Sequence, residues 1–133
     1  MKPLRIFLVN LGYTRPFYPL VTPPMGLLYL GAYLRERFDT EIRVVNQRMH
    51  NDSPESLARQ AREFGADIVG LSSFTTTAYL LPEVTRCMRA ALPDALLLLG
   101  GPHVSAAGAD SMQGVEADAG VPGEGERSFE QLI

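Results

Sequence analysis

Ala95-Leu96-Leu97-Leu98-Leu99-Gly100-Gly101 is a run of five apolar residues that stops abruptly at two glycines. A run this short and this continuously apolar reads as a strand covered on both faces, the kind found inside a parallel sheet. Two further segments share the pattern, residues 4–9 (LRIFLV) and 67–71 (DIVGL), and with 95–99 they supply the central strands. Residues 41–46 (EIRVVN) alternate more, and 116–121 (EADAGV) are short and weak, which suits the two edges.

Helical patterns fill the gaps between these strands. From Pro24 to Arg37, the residues Leu27, Leu30, Gly31 and Leu34 share one face. Ser53 is a natural N-cap with Pro54 at the first helical position, and Leu57, Ala61 and Phe64 share a face until Gly65 stops the helix. A third helix, about Tyr79 to Leu92, turns Leu80, Val84, Cys87, Met88 and Ala91 inward and ends before Pro93; a last one begins near Glu124. Strand–helix alternation of this kind requires right-handed crossovers. The expected fold is α/β, doubly wound and flavodoxin-like (Rossmann-like). It has a five-stranded parallel sheet of order 2-1-3-4-5 with helices on both faces, and residues 1–133 form one domain.

Composition narrows the functions available. The 133 residues carry a formal charge of −3, with no cluster of Lys and Arg to meet a nucleic-acid backbone. The opening MKPLRIFLVN is too short an apolar run to be a signal peptide or a membrane span. Cys87 is the only cysteine, so neither an internal disulfide nor a cysteine-held metal centre is possible, and a reducing cytoplasm is the expected location. No catalytic residue and no metal ligand stand out.

In open α/β sheets ligands bind beyond the carboxyl ends of the strands, so the connections at that edge matter most. The first, NLGYTRPFYPLVTPPMG, is long for its place; Pro16, Pro19, Pro23 and Pro24 stiffen it and Tyr13, Phe17 and Tyr18 offer flat apolar surface. A lid packed on its own domain is the plainer account of it. Strand 3 ends in Ser72-Ser73-Phe74-Thr75-Thr76-Thr77, more hydroxyls than one helix cap needs. Strand 4 ends in Gly100-Gly101-Pro102-His103, where paired glycines let a ligand approach the backbone; a lone loop histidine is more often a surface hydrogen-bonding residue than a ligand. The fifth connection contains Gly123-Glu124-Gly125, whose glutamate a helix start explains adequately. Four such turns arriving on one edge argue for a ligand.

The segments PPMGLLYLGAYLRE (23–36), ADIVGLSSFT (66–75), LLLLGGPHVSA (96–106) and AGVPGEGERSFEQLI (119–133), in this order and spacing, carry a family resemblance. Together the chain resembles the N-terminal cobalamin (B12)-binding domain of B12-dependent radical-SAM enzymes, a group that includes methyltransferases and the anaerobic magnesium-protoporphyrin monomethyl ester cyclase. Cobalamin domains of mutases and methionine synthase carry Asp-x-His-x-x-Gly after strand 1, Ser-x-Leu after strand 3 and Gly-Gly after strand 4. The corresponding stretches here are Asn10-Leu11-Gly12-Tyr13-Thr14-Arg15, Ser72-Ser73-Phe74 and Gly100-Gly101. The resemblance implies that Ser72, Ser73 and Thr75 meet the benzimidazole tail and that Gly100 and Gly101 let it slide between strand and helix. Gly12 stands where the cobalt-ligating histidine would be, and Asn10 replaces the aspartate that would orient it. A base-off, histidine-off cobalamin is therefore expected, with residues 11–22 over the lower face of the corrin. The same resemblance calls for a 4Fe-4S cluster and S-adenosylmethionine, which a single cysteine cannot serve. They are expected in a C-terminal radical-SAM domain, the partner of this N-terminal piece.

Other readings on the same fold are poorer. A flavodoxin binding FMN wants a hydroxyl-rich phosphate loop after strand 1, where prolines and aromatics stand. A response-regulator receiver wants an aspartate ending strand 3, where Ser72 stands. A domain that kept the shape, lost the cofactor and serves as a scaffold or interdomain interface stays open at this point.

Overall fold

A computed structural model describes residues 2–14, 23–121 and 126–132. Five parallel strands, β1 (Leu4–Asn10), β2 (Thr40–Asn46), β3 (Ile68–Ser72), β4 (Leu96–Gly100) and β5 (Ala119–Gly120), pair in the order β2-β1-β3-β4-β5. The helices are α1 (Met25–Arg37), α2 (Pro54–Phe64), α3 (Leu81–Ala91), α4 (Pro102–Ala107) and α5 (Glu126–Leu132).

Each central strand is apolar throughout because both of its faces are covered, and the two-residue period sends alternate side chains to different layers. Phe7, Val9, Val69, Leu71, Leu97 and Leu99 pack with α2 and α3 through Leu57, Ala61, Val84 and Met88. Ile6, Leu8, Ile68 and Leu98 face the other way, toward Leu30 and Leu34 of α1 and Phe129 of α5. Each such leucine taken fully out of water contributes roughly 1.5–3 kcal/mol before chain entropy is counted.

Local signals set the helix ends. The Ser53 hydroxyl accepts the Ser56 N–H at 3.1 Å at the start of α2, and Gly65 ends that helix in the left-handed region at φ 76°. The third helix starts later than the expected Tyr79: residues 75–80 form a 3-10 helix, and α3 proper begins at Leu81. Thr77 shapes that turn, its hydroxyl accepting the Phe74 N–H at 2.9 Å. Helix α4, absent from the sequence reading, is too short to show a period, although Pro102 occupies its first position.

The fifth strand is shorter than the expected 116–121, for a reason that can be seen. The Asp118 carboxylate accepts the Leu97 N–H at 2.8 Å where a strand carbonyl would otherwise do so, and pairing begins only at Ala119. Arg89 donates to the same oxygen at 2.8 Å. The Leu97 N–H, against a lesser opposing push from burial and with help from Arg89, holds the Asp118 carboxyl below its ordinary value.

A carboxyl depressed in the folded state stabilises the fold above its unfolded value of about 3.9, and that contribution is lost as pH falls through the lower folded value. Asp118→Asn should therefore be less stable than the native chain near neutrality. The gap should close as urea midpoints are followed from neutrality down through about pH 3.

Candidate binding site

Parallel register sets the floor of the site. Leu8 pairs beside Gly70 and Gly70 beside Leu98; one step further along, Asn10 lies beside Ser72 and Ser72 beside Gly100. Both rows point to the α1/α5 side of the sheet. The second row has no side chain at its β4 end, so the sheet is lowered beside Gly100, whereas in the first row Leu8 Cδ2 and Phe129 Cε2 fill the space over Gly70. A cavity of about 1400 Å³ occupies this place. Leu8, Leu27, Leu30, Leu98, Val121 and Phe129 line it with apolar surface, and Asn10, Ser72, Thr75, Thr76, Thr77 and Ser105 add polar groups. Arg48 and Glu126 are the charged groups among the described lining residues.

The two glycines after β4 do different work. A Cβ on Gly100 would meet nothing nearer than the Val121 carbonyl oxygen at 3.7 Å, so protein packing leaves room for a side chain there. On Gly101, at φ +93°, a Cβ would stand 2.7 Å from both Ser72 Oγ and the Ser73 carbonyl oxygen. Gly101 is thus needed by the turn itself, in which the Ser73 N–H donates to the Gly100 carbonyl and the His103 N–H to the Ser73 carbonyl. Ser73 is fully buried beneath this turn, and its hydroxyl has no hydrogen-bond partner among the described residues; the same holds for His103 Nδ1.

The start of the first loop is pinned residue by residue. The Leu11 N–H donates to the Ser72 carbonyl at 2.9 Å, and the Gly12 N–H donates to Gln47 Oε1 at 2.7 Å. Arg48 Nη1 donates to the Tyr13 carbonyl at 2.7 Å, and the Thr14 N–H donates to Asn51 Oδ1 at 2.8 Å. Gln47 is fully buried, and its other end donates to the Asp52 carbonyl. Burial first, then Tyr79, Glu55, Glu83 and Asp52, raise the Tyr13 phenol above its ordinary value and keep it a neutral O–H.

Of the expected site residues, Asn10, Tyr13, Ser72, Phe74, Thr75, Gly100, Gly101 and Pro102 line this one cavity. Leu11, Gly12, Thr14, Ser73 and His103 do not line it but support its walls. Gly123, Glu124 and Gly125, with Pro16, Phe17, Tyr18 and Pro19 of the long loop, lie outside the described residues. The sequence reading missed Gly70, whose signal was available as a lone glycine inside an apolar strand. It also missed Met25, Tyr29 and Tyr79, which line the cavity at 47%, 64% and 58% exposure and, with Phe74, make an apolar rim. Arg48 had no sequence signal at all.

The family model of the B12 binding domain matches residues 18–133. This chain belongs to the B12-binding domain family. An uncharacterised methyltransferase of Pyrococcus horikoshii is 30% identical over 112 residues, covering 84% of this domain and 24% of the relative. The anaerobic magnesium-protoporphyrin IX monomethyl ester cyclase of Cereibacter sphaeroides is 30% identical over 83 residues, covering 62% and 14%. The B12-binding domain thus spans a quarter or less of these curated relatives. Its fold is also that of the cobalamin-dependent S-adenosylmethionine radical enzyme OxsB, solved with aqua-cobalamin and S-adenosylmethionine, at TM-score 0.85 and 16% identity over 98% of this chain and 18% of that one. Among the described residues no helix is long and apolar enough to cross a membrane, and no group of three or more His, Cys, Asp or Glu side chains is arranged to hold a metal ion. Burial raises the Cys87 thiol and leaves it an inert core group.

The glycine geometry predicts a contrast. Gly101→Ala should destabilise the B12-binding domain by more than about 1 kcal/mol, since its backbone angle and its neighbours both oppose a Cβ, while Gly100→Ala stays within about 0.5 kcal/mol of native. Urea melts of the two variants measure it.

Proposed function

We propose that this domain binds cobalamin in the base-off form with no histidine of its own on the cobalt, as the cofactor-carrying part of a radical-SAM methyltransferase or a porphyrin-cyclase-like enzyme. The observation that carries the proposal is the lowered floor of the sheet. Gly100 leaves space that no protein group requires, in a row that ends at the mouth of an apolar cleft between strands and helices. A long, mostly uncharged nucleotide tail fits such a cleft, and a flat macrocycle fits a rim of Met25, Tyr29, Phe74 and Tyr79. The single arginine in the described lining is a poor match for the phosphates of FMN or a dinucleotide.

The residues fit the group in a further respect. Histidine is missing from the described lining residues, in accord with a cobalt that takes no imidazole from this chain. When bound, cobalamin would supply a cobalt centre able to carry a one-carbon group, chemistry that belongs to the cofactor. The domain's own part is to hold it. Asn10, Ser72 and Thr75 offer hydrogen bonds along the polar wall, Leu8, Leu30, Leu98 and Phe129 keep water from the tail, and Tyr13 stays neutral above the pinned loop. Gly123, Glu124 and Gly125 join the set on the family resemblance.

The 4Fe-4S cluster and S-adenosylmethionine belong to a radical-SAM half outside these 133 residues, whose single cysteine cannot build a cluster. A reducing cytoplasm suits such a cluster.

Incubating the purified protein with hydroxocobalamin and removing the unbound cofactor tests the reading. The native chain should retain a corrin spectrum of base-off type, and Gly100→Val should lose it while melting like the native chain. A colourless native protein, or undiminished uptake by Gly100→Val, sinks the proposal.

A further inference from the structure

The sheet ends at β2 on one side and at β5 on the other, and the two edges are built differently. β5 has two residues, too few to template another strand, whereas β2 runs for seven and pairs only with β1 among the described residues. The Leu4 N–H donates to the Asp39 carbonyl at 3.0 Å, which fixes how the β2 backbone is turned. Peptide groups of residues 39, 41, 43 and 45 face β1, and those of Thr40, Ile42 and Val44 face outward. Edges this long are commonly protected by Lys, Pro or a bulge; residues 40–46 contain neither Lys nor Pro, and their register with β1 runs unbroken.

What the edge carries is charge of both signs. Glu41 and Arg43 are exposed on the α2/α3 side, Arg43 over the Phe64 ring at 4.9 Å and Glu41 within 3.3 Å of Arg5. Ile42 and Val44 lie on the α1 side and are only partly buried. Helix α1 passes close above them, since a Cβ on Gly31 would stand 3.5 Å from Ile42 Cγ2. Tyr33 turns toward α5 through its 2.7 Å bond to Glu130, so the side of α1 that carries Gly31 and, one turn earlier, Leu28 looks over the open edge. Leu28 is 43% exposed and belongs neither to the cavity lining nor to the core.

We propose that β2 is the contact surface for a second copy of this chain, the two β2 strands pairing antiparallel across a twofold axis at Ile42 and joining the sheets edge to edge. An axis normal to the sheet keeps both α1 helices in one layer, and the charges decide where along β2 it falls. An axis at Glu41 would set glutamate against glutamate, and one at Arg43 arginine against arginine. At Ile42 it sets each Glu41 against the second copy's Arg43, in the non-hydrogen-bonded positions where opposed Cα atoms come within about 4.5 Å. The same axis opposes Ile42 to Ile42 and Thr40 to Val44, the residues whose peptide groups face outward, so each exchanges its N–H and its carbonyl with its opposite. It also brings the second α1 alongside the first and covers Leu28.

Sedimentation equilibrium over the micromolar range should show the native chain in a monomer–dimer equilibrium. Glu41→Arg opposes arginine to arginine and Arg43→Glu opposes glutamate to glutamate, so each variant alone should associate roughly tenfold more weakly. An equimolar mixture of the two should recover dimers of native strength, because every contact then joins unlike charges. Val44→Pro removes an outward N–H without touching the β1–β2 ladder, and should be monomeric while keeping the native circular dichroism. A native chain that stays monomeric throughout, as when a different protein covers this edge, overturns the proposal. Dimers that survive Val44→Pro overturn it too, as does a mixture of the two charge variants that associates no better than either alone.

Discussion

Because β1, β3 and β4 pair in parallel with Asn10 beside Ser72 and Ser72 beside Gly100, their carboxyl ends finish on one line. Parallel hydrogen bonding admits no local slip here. A shift by one residue would turn Ile6, Leu8 and Ile68 out of one layer and into the other, and both layers are closed by helices. The line of strand ends, the lowered floor beneath it and the turns that rise from it all follow from that one register. The cavity is a product of the sheet, and the loops serve to wall it.

Within that frame, small residues do two different things that look alike in the sequence. Gly100 leaves volume on the α1/α5 face, Gly70 makes room for the Leu8 side chain, and Gly101 permits a turn to fold back onto Ser72 and Ser73. Hydroxyls divide in the same way. Ser72, Thr75 and Thr76 stand at the cavity wall, Thr77 lines it too but commits its hydroxyl to its own turn, and Ser73 is sealed beneath.

Much of the fold was legible because it rests on short-range patterns. The apolar runs ending at Asn10, Ser72 and Gly100 mark strands, Ser53-Pro54 marks a helix start, Gly65 a helix stop, and all five strands lie where the runs put them, in the expected order. Errors came where a single side-chain contact overrides the local pattern. Asp118 cut the last strand short by accepting the Leu97 N–H, and Thr77 helped hold a 3-10 turn where a longer helix was expected. The site was half legible for the same reason. Strand-end residues such as Ser72 and Gly100 are placed by their own strands, whereas Gln47, Arg48 and Asn51 act on a loop 35 or more residues away in the chain and show no pattern of their own.

That separation bears on how the domain comes into being. The bond from Gly12 to Gln47 spans 35 residues, which include the whole of α1 and β2. Closing so long a loop costs entropy that no nearby contact repays until the edge strand has docked. Residues 12–14 cannot acquire their hydrogen bonds as they are synthesised; they must wait for the segment that follows β2. Any molecule that binds against the finished loop also favours the docked edge strand, so the outermost strand on that side gains protection from an event at the far end of the sheet.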